Sequence, residues 1–492
     1  MIFYIQSAHK ELYKDFYELI QLFVYDFTLD MEETPASVDV FIKGTETVEG
    51  SRYCTAFSTT FKEKPYQVSL EEEITEKDAL LFRKQYKRLQ KRTLYQLLKS
   101  LFGKQSPWGS LTGVRPTFLL YEQLAGGHSL AESLHYMQTE FDLDQDKLDL
   151  LQEIVEVQSS LKPKGDSDID VYIGIPFCAT RCSYCTFPSN PVNQTNIRAY
   201  MRCIVKEIFA ISALLRREKL SLRALYIGGG TPTAIDDASF ALLLQTVNQA
   251  FRDWMGFEYT VEAGRADTIS EQKLELMKAY GVQRISINPQ TMNEDTLRII
   301  GRNHTAKACI DIFYLARRMG FKHINMDTIV GLPGEGMAHF QHTMEVLRSL
   351  HPDSITVHTL ALKKNSLLTG KQSRAENSGM LRDMVMLGRQ TAKSMRMRPY
   401  YMYRQKNIAG NHENTAYALA GKECLYNVDI MEETTSILAA GAGAISKRVY
   451  KNRYQRIERA ANVSDLKSYL QRIDEMINRK QELFSNEGSI YQ

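Results

Sequence analysis

Three cysteines lie close together in the middle of the chain, in the segment CATRCSYC. Cys178, Cys182 and Cys185 are separated by three and then by two residues. Thiolates are the protein ligands of iron–sulfur clusters, and a triad at this spacing can bind three corners of a cubane cluster while the fourth iron stays open. A structural zinc site requires four ligands, usually in two close pairs, and the sequence has no second pair. The cysteines therefore predict a three-thiolate cluster, with a zinc knuckle as the alternative.

Strand-like and helix-like segments alternate on both sides of the triad. Six short runs with β-branched and aromatic residues are each followed by a segment of helical length. The runs are DVYIGIP, ALYIGG, YTVEAG, RISINP, INMDTIVG and DSITVHT. This alternation predicts parallel strands, arranged as an open doubly wound sheet or as an incomplete barrel. Both folds bind ligands at the carboxyl ends of their strands, so we expect the cluster just beyond the first strand.

Helix boundaries in this region have signals of their own. Ser270, Asn293 and Thr305 are typical N-cap residues, and a glycine follows each predicted helix, at positions 281, 301 and 320. The first helix of the region carries apolar residues at intervals of three or four, which predicts that it packs against the sheet. These residues are Ile197, Met201, Ile204, Ile208, Ile211 and Leu215.

The length of 492 residues exceeds what one hydrophobic core usually serves, so we expect at least two domains. The polar segment Ser159–Asp168, which contains Pro163 and Gly165, predicts a boundary near residue 165. We assign residues 1–165 to an N-terminal α+β domain of unknown role. Residues 166–370 form the βα array, and residues 371–492 form a mostly helical segment that closes it.

The composition is that of an ordinary globular protein. Hydrophobic residues make up 43% and charged residues 24%, and the net charge of +3 does not indicate a nucleic-acid or membrane partner for the whole molecule. No apolar run reaches the length of a membrane span, and the N-terminus lacks the pattern of a signal peptide. The remaining cysteines, Cys54, Cys203, Cys309 and Cys424, are scattered and are interpreted as packing residues. We therefore expect a cytoplasmic protein.

The segment CATRCSYC resembles the cysteine signature of the radical S-adenosylmethionine (radical SAM) superfamily. That resemblance implies two cofactors, a [4Fe-4S] cluster and S-adenosyl-L-methionine, and a partial (β/α)6 barrel. In this superfamily the open iron binds the amino and carboxylate groups of S-adenosylmethionine, and one-electron reduction yields a 5′-deoxyadenosyl radical.

Other segments resemble one family within this superfamily, the oxygen-independent coproporphyrinogen III oxidases. They span residues 170 to about 450 and include GGGTPT, VEAGR, GVQRISINPQTMN, LRIIGRNHT and INMDTIVGLPGE. GGGTPT lacks the Lys-Ser/Thr ending of a phosphate-binding loop, and its glycines would let backbone groups approach a ligand closely. Three longer segments resemble the HemZ-type branch of the family: SLTGVRPT, YYMYRQKNIAGNHEN and MEETTSILAAGAGAISK.

The resemblance implies a set of S-adenosylmethionine contacts. By position they are Tyr172, Tyr184, Gly230, Thr231, Glu262, Gln290, Arg302, Asp327, Ala361 and Ile445. The guanidinium of Arg302 suits a carboxylate, and the carboxylate of Asp327 suits paired ribose hydroxyls. Glu262, Arg302 and Asp327 have an alternative role as ordinary ion pairs at strand and helix ends.

The activity implied by the resemblance is oxidative decarboxylation of two propionates of coproporphyrinogen III to vinyl groups, which gives protoporphyrinogen IX for heme biosynthesis. It also implies a porphyrinogen substrate and an electron donor such as a flavodoxin or ferredoxin. Two positions depart from better-characterised oxidases, because Phe187 replaces a fourth cysteine and Gly174 replaces a histidine. Two alternatives stay open: a heme-binding chaperone on the same scaffold, and a radical enzyme that acts on RNA.

Basic residues supply candidates for binding anions. Arg181, Lys363, Lys364, Arg404 and Lys406 fall in predicted strand ends or loops, where they could bind the carboxylates of a porphyrinogen or simply be solvated. A second group lies on one face of a predicted helix and could bind RNA or an acidic partner, or form a solvated face. It comprises Arg83, Lys84, Lys87, Arg88, Lys91 and Arg92.

Overall fold

The computed structural model describes residues 1–485 apart from 25, 114, 362–377, 406–407 and 451–455. The chain forms two compact units. The first is built on Met1–Gln152, and the second on the described residues from Glu153 onward apart from short stretches such as Ala409–His412. This division falls ahead of the polar segment at which the sequence predicts a domain boundary.

The first unit combines one five-stranded sheet with helices, so the prediction of an N-terminal α+β fold is confirmed. Its strands are β1 (Ile2–Gln6), β2 (Thr28–Asp30), β3 (Val40–Glu49), β4 (Arg52–Phe61) and β5 (Lys64–Glu73). Its helices are α1 (Tyr13–Ile20), α2 (Ala79–Phe102), α3 (Pro116–Ala125), α4 (Leu130–Phe141) and most of α5 (Gln145–Ser159). The strand order is β2-β1-β3-β4-β5, parallel through β3 and antiparallel beyond it.

Apolar residues of α1, α2 and the sheet form the core of the first unit. Phe16 on α1 meets Phe57 on β4 edge to face, with ring centroids 5.7 Å apart. Asp78 caps α2 by accepting hydrogen bonds from two backbone N–H groups of its first turn. The Asp78 cap therefore marks where α2 begins.

The basic face of α2 is largely paired with acidic side chains of its own unit. The pairs are Lys84 with Glu122, Lys87 and Lys91 with Asp15, and Arg92 with Glu72 and Glu140. Arg88 donates instead to the hydroxyl of Tyr136. These contacts favour the interpretation of the face as a structural one rather than as an RNA site.

The second unit is organised around one eleven-stranded sheet. The six predicted strands are β6 (Asp168–Ile175), β9 (Ser221–Gly229), β10 (Glu258–Gly264), β11 (Arg284–Ile287), β12 (His323–Val330) and β13 (Ser354–Thr359). They lie side by side in sequence order, and every neighbouring pair is parallel. The prediction of a partial (β/α)6 barrel is confirmed. Two short strands, β7 (Phe177–Cys178) and β8 (Asn190–Pro191), pair with each other beyond the end of β6.

Helices follow the strands as the sequence predicts. They are α6 (Gln194–Arg217), α7 (Asp237–Phe251), α8 (Glu271–Ala279), α9 (Glu294–Ile299), α10 (Ala306–Arg318) and α11 (Met337–Leu350). The whole predicted apolar stripe of α6 is buried. Ser270 and Thr305 accept the expected capping hydrogen bonds, whereas the amide of Asn293 donates to Thr291 and Glu335 and makes no cap.

Alternate residues of the parallel strands face opposite sides of the sheet, which separates the packing face from the polar face. Val171, Ile173 and Ile175 of β6 are fully buried, as are Leu225 and Ile227 of β9. The intervening positions carry polar and aromatic residues, and the strand register aligns them across the sheet. Aligned examples are Tyr172 with Tyr226, Ser286 with Asn325, and Asp327 with Thr356. These aligned residues therefore form a polar row on one face of the sheet, close to the carboxyl ends of the strands.

The segment 371–492 corrects the expectation of a mostly helical closure, because it adds five strands to the sheet. They are β14 (Arg398–Tyr403), β15 (Asn414–Ala418), β16 (Ser436–Ala440), β17 (Ile445–Val449) and β18 (Ile457–Ala461). β16 runs parallel to β6 as a seventh parallel strand, and β15 lies antiparallel to β13 on the opposite side of the six central strands. β15 and β16 are short and rich in alanine, so their strand propensity is weak and pairing with distant strands decides their structure.

The described part of the same segment also contains four α-helices. They are α12 (Ser378–Ser394), α13 (Leu425–Glu432), α14 (Leu466–Gln471) and α15 (Ile473–Ser485). Among the described helices, none is sufficiently long and apolar to span a membrane.

A buried polar network joins α6 to the C-terminal helices. The carboxylate of Glu207 accepts from Lys480 Nζ at 2.6 Å, from Asn462 Nδ2 at 2.8 Å and from the backbone N–H of Gly441 at 2.8 Å. Glu207 and Lys480 are both almost fully buried. Their ion pair therefore joins α15 to α6, while the hydrogen bond from Gly441 holds the turn after β16 against α6.

We expect Glu207→Gln to reduce the free energy of unfolding by about 3 kcal/mol, because it leaves the Lys480 ammonium buried without a counter-charge. Urea denaturation followed by circular dichroism measures the change. The control is Asp474→Asn in the exposed Lys206–Asp474 pair, which we expect to cost less than about 1 kcal/mol. Equal costs for the two variants would contradict the role assigned to the network.

Candidate functional site

The cysteine loop lies at the carboxyl end of β6 and is held from two sides by backbone hydrogen bonds. On one side, Thr231 N donates to Phe177 O at 2.8 Å. On the other, Ser183 N donates to Ile300 O at 3.1 Å, and the Thr180 hydroxyl donates to Gly301 O at 3.2 Å. The loop is thus positioned by the GGGTPT turn and by the end of α9.

The three cysteines of the loop differ in how far they are exposed to solvent. Cys182 is buried, whereas Cys178 and Cys185 are partly exposed. Burial raises the pKa of Cys185, and the neighbouring thiolates of Cys182 and Cys178 raise it further, while a hydrogen bond from the backbone of Phe187 opposes them. The described residues contain no group of three Cys, His, Asp or Glu side chains gathered as ligands of a metal ion. In a cubane cluster each thiolate instead binds a different iron.

Gly230 and Thr231 lie directly against the first cysteine. Thr231 Oγ1 is 3.6 Å from Cys178 Sγ. A Cβ on Gly230 would lie 2.6 Å from Phe177 O and 3.0 Å from Cys178 Sγ. Glycine is therefore required here because the backbones of the turn and of the cysteine loop touch.

Arg302 is a buried guanidinium with only neutral hydrogen-bond acceptors. Its Nη2 donates to Tyr184 OH at 2.9 Å, and its Nη1 donates to Asn288 O at 2.9 Å. Its Nε has no hydrogen-bond partner, and no carboxylate in the described part of the chain forms an ion pair with it. A buried charge without a counter-ion is costly, so this arrangement favours an anionic ligand.

Gln290, just beyond the end of β11, contacts Asp327 in the second half of β12. Gln290 N donates to Asp327 O at 2.9 Å, and the side-chain Oε1 of Gln290 is buried without a hydrogen-bond partner. Burial acts to raise the pKa of Asp327, but a hydrogen bond and the charge of His358 hold it below its ordinary value. Asp327 therefore presents an ionised carboxylate at the strand ends.

Glu262 lies two residues before the end of β10, close to both the glycine turn and Asp327. Tyr226 donates its hydroxyl proton to Glu262 Oε1 at 2.5 Å. Burial raises the pKa of Glu262 to about 7; the hydrogen bond from Tyr226 opposes this rise, and the charge of Asp327 adds to it. Glu262 therefore exchanges a proton near neutral pH.

Three of the predicted contacts lie at the margins of this group. The ring of Tyr172 stacks against the rings of Tyr226 and Tyr426, which also stack on each other, on the polar face of the sheet. Ala361 makes an isolated bridge to Ile408, and Ile445 begins β17 with 51% of its surface exposed. None of these three contacts the cysteine loop through a described hydrogen bond. Their roles at the cofactor stay predictions.

Sequence reasoning missed Arg265, His358 and the partners of Glu262. Arg265 follows the VEAGR motif and places its Nη1 3.6 Å from Cys182 Sγ. His358 Nε2 is 3.6 Å from Asp327 Oδ2. Both are strand-end polar residues next to a predicted site residue, and that position was the signal that could have identified them.

The candidate anion-binding cations divide into three cases. Arg404 is buried and follows β14, which runs in the same direction as β13, so it lies at the same edge as the cysteine loop. Arg181 is exposed on the loop. Lys363, Lys364 and Lys406 lie outside the described residues.

The two departures noted in the sequence have structural consequences. Phe187 is 66% exposed beside the cysteine loop. A Cβ on Gly174 would lie 3.2 Å from the ring of Tyr172 and 3.5 Å from Ala440 O, so β6 has little space there for a larger side chain.

The donors at these strand ends fit the two cofactors implied by the sequence. Three thiols are available for a cluster, and two buried polar atoms, Arg302 Nε and Gln290 Oε1, lack partners in the polypeptide. Residues 172–347 match the model of the Radical SAM superfamily. The oxygen-independent coproporphyrinogen-III oxidase-like protein HemZ of Bacillus subtilis is 38% identical over 420 residues, which cover 83% of this chain and 82% of HemZ.

This chain belongs to the HemZ family of radical SAM proteins. The cofactors of this superfamily, a [4Fe-4S] cluster and S-adenosylmethionine, are those that the cysteine signature predicts. The heme chaperone HemW of Bacillus subtilis is 32% identical over 197 residues, which cover 40% of this chain and 51% of HemW. The structure of Escherichia coli coproporphyrinogen III oxidase, HemN, matches with a TM-score of 0.47 and 21% identity, over 63% of this chain and 70% of HemN.

We expect Gly230→Ala to impair cluster assembly, because its Cβ would displace the Phe177 carbonyl and the Cys178 thiol. The measurement is iron and sulfide per chain after anaerobic reconstitution, with a several-fold loss expected. Gly336→Ala is the control, since a Cβ there meets no atom within 4 Å. Normal cluster content in Gly230→Ala would contradict the tight contact between turn and loop.

We expect Glu262→Gln to stabilise the protein more at pH 8 than at pH 5. The pKa of Glu262 rises from an ordinary 4.5 to about 7 in the folded chain, so the folded state binds the proton more tightly. This contribution to stability is fully present below pH 4.5 and is lost as the pH rises through 7. The neutral amide does not titrate and avoids that loss. The thermal midpoint of the variant minus that of the wild type, measured at both pH values, tests this; a difference independent of pH would disprove it.

Proposed function

We propose that this protein carries out the oxygen-independent oxidative decarboxylation of two propionates of coproporphyrinogen III to vinyl groups, giving protoporphyrinogen IX. The observation that carries the proposal is similarity to the oxidase-like protein HemZ over more than four fifths of both chains. When bound, the cluster and S-adenosylmethionine supply a radical able to abstract hydrogen from a propionate. The polypeptide supplies binding, orientation and an enclosed site.

Arg302 and Gln290 are proposed to hold the amino-acid end of S-adenosylmethionine. The guanidinium of Arg302 is buried and hydrogen-bonded to neutral groups, so a ligand carboxylate would give it a direct counter-ion. Gln290 Oε1 is a buried acceptor that still requires a donor. The ligand would thus supply a counter-ion to Arg302 and a hydrogen-bond donor to Gln290.

Asp327 is proposed to bind the ribose of the same cofactor. Its Oδ1 already accepts from Asn325 Nδ2 at 2.7 Å, which fixes the orientation of the carboxylate. His358 helps to keep it ionised. An ionised, oriented carboxylate is a suitable acceptor for two neighbouring hydroxyl groups.

Arg404 is proposed to bind a propionate of the substrate. It lies at the end of the sheet where the parallel strands finish, as the cysteine loop does. Burial lowers the pKa of Arg404 to about 10, so the guanidinium stays protonated at neutral pH. A buried guanidinium interacts with a carboxylate far more strongly than a solvated one does. Reduction of the cluster would require an electron donor such as a flavodoxin or ferredoxin.

The similarity to HemW proteins raises a second candidate function, heme binding without turnover. The HemW match covers about half of that relative, whereas the HemZ match covers most of both chains. Because the match to HemZ is the more extensive of the two, it favours the oxidase proposal. A chaperone would bind heme stoichiometrically and leave coproporphyrinogen unchanged.

We expect the anaerobically reconstituted protein to convert coproporphyrinogen III to protoporphyrinogen IX when given S-adenosylmethionine and a reductant. Chromatography of the porphyrins and of 5′-deoxyadenosine provides the measurement. Cys182→Ala should abolish both products, because it removes a cluster ligand. Its matched control is Cys309→Ala, a buried cysteine on α10, which should retain both.

Different outcomes test the substrate, the cofactors and the cluster ligands separately. Formation of 5′-deoxyadenosine without protoporphyrinogen would refute the substrate and leave the cofactors in place. Stoichiometric heme binding without turnover would favour the chaperone function. Cleavage of S-adenosylmethionine by Cys182→Ala would refute the assignment of the cluster ligands.

A further inference from the structure

Arg265 lies immediately beyond β10, and its guanidinium reaches the cysteine loop. The side chain is buried, with only 3% of the residue exposed. Its Nη1 donates to Thr180 O at 3.2 Å and lies 3.6 Å from Cys182 Sγ, within the longer hydrogen-bond distance that sulfur allows. Cys182 is itself the most buried of the three cluster cysteines. Arg265 therefore contacts a cluster ligand directly.

Asp267 fixes the orientation of this guanidinium. Arg265 Nε donates to Asp267 Oδ1 at 3.0 Å, and Nη2 donates to Asp267 Oδ2 at 2.7 Å. This two-point contact uses one edge of the guanidinium and leaves Nη1 for the cysteine loop. A side chain held in this way loses little further freedom when it donates to sulfur.

Arg265 differs from Arg302 in what it contacts. Arg302 has neutral partners only and is proposed to receive a carboxylate, whereas Arg265 already has a carboxylate partner in Asp267. Arg265 thus has no need of an anionic substrate or cofactor group to balance its charge. Its remaining N–H is available to the thiolate.

We propose that Arg265 is a positioning residue that donates a hydrogen bond to the Cys182 thiolate and thereby raises the reduction potential of the cluster. Reduction adds negative charge to the cluster and its sulfurs, and a nearby N–H donor with positive charge stabilises the reduced form more than the oxidised form. Burial strengthens this effect because the local dielectric is low. The inference depends on the cluster but not on the identity of the substrate.

The sign of the effect distinguishes this role from a structural ion pair. Removing the positive charge of Arg265 should make the cluster harder to reduce. Removing the negative charge of Asp267 should make it easier to reduce. A purely structural pair would give the same kind of defect in both variants, namely loss of stability or of cluster content.

We expect Arg265→Gln to lower the ratio of reduced to oxidised cluster about tenfold at a given solution potential, which is a shift of about 59 mV for a one-electron couple. The measurement is an anaerobic redox titration of the reconstituted protein, followed by electron paramagnetic resonance, without S-adenosylmethionine or porphyrinogen. Asp267→Asn should shift the potential in the opposite direction. Arg298→Gln is the control, since that arginine is exposed on α9 and should leave the potential unchanged.

An Arg265→Gln protein with normal iron content and the wild-type potential would overturn the proposal. If Arg265→Gln assembles no cluster, Asp267→Asn decides: a raised potential supports the proposal, and an unchanged one overturns it. Failure of the wild type to assemble any cluster would instead contradict the cofactor assignment. Failure to convert coproporphyrinogen affects only the proposed substrate, so the two claims fail separately.

Discussion

The structure depends on holding three thiols beyond the end of β6, in a loop whose only regular part is the two-residue strand β7 at Cys178. Backbone hydrogen bonds solve this problem from two directions, one from the glycine turn after β9 and one from the end of α9. The contact with the turn is so close that position 230 has no space for a side chain. The cysteine loop is therefore held by segments that lie 53 and 121 residues further along the chain, and the parallel sheet brings them together.

The charged side chains of the site are also arranged by the parallel sheet. The polar face of the sheet ends in Glu262, Asp327 and His358, while two buried arginines, Arg265 and Arg302, lie toward the cysteine loop. In a low-dielectric site each of these groups requires a partner, and the polypeptide supplies some partners but not all. The unpartnered atoms are thus the most informative ones, because they indicate where a ligand completes the structure.

Much of the second unit could be predicted from the sequence. The six parallel strands, the apolar stripe of α6 and the cysteine loop all follow from local patterns, and the structure confirms them. The strands of segment 371–492 could not be predicted, since β15 and β16 are alanine-rich and form only by pairing with β13 and β6. The motifs identified the predicted contacts along the chain. They did not identify the role of Arg265, because its contact with Cys182 joins residues that are far apart in the sequence.

The buried network around Glu207 shows why the closing segment matters to the site as well as to stability. Gly441, whose N–H donates to Glu207, lies against β6, since a Cβ there would be 2.4 Å from Gly174 O. Gly174 is in turn the last polar-face position of β6 before the cysteine loop. Residues on α6 and α15 therefore fix the strand end from which the loop departs. The C-terminal helices are linked to the site through this chain of contacts.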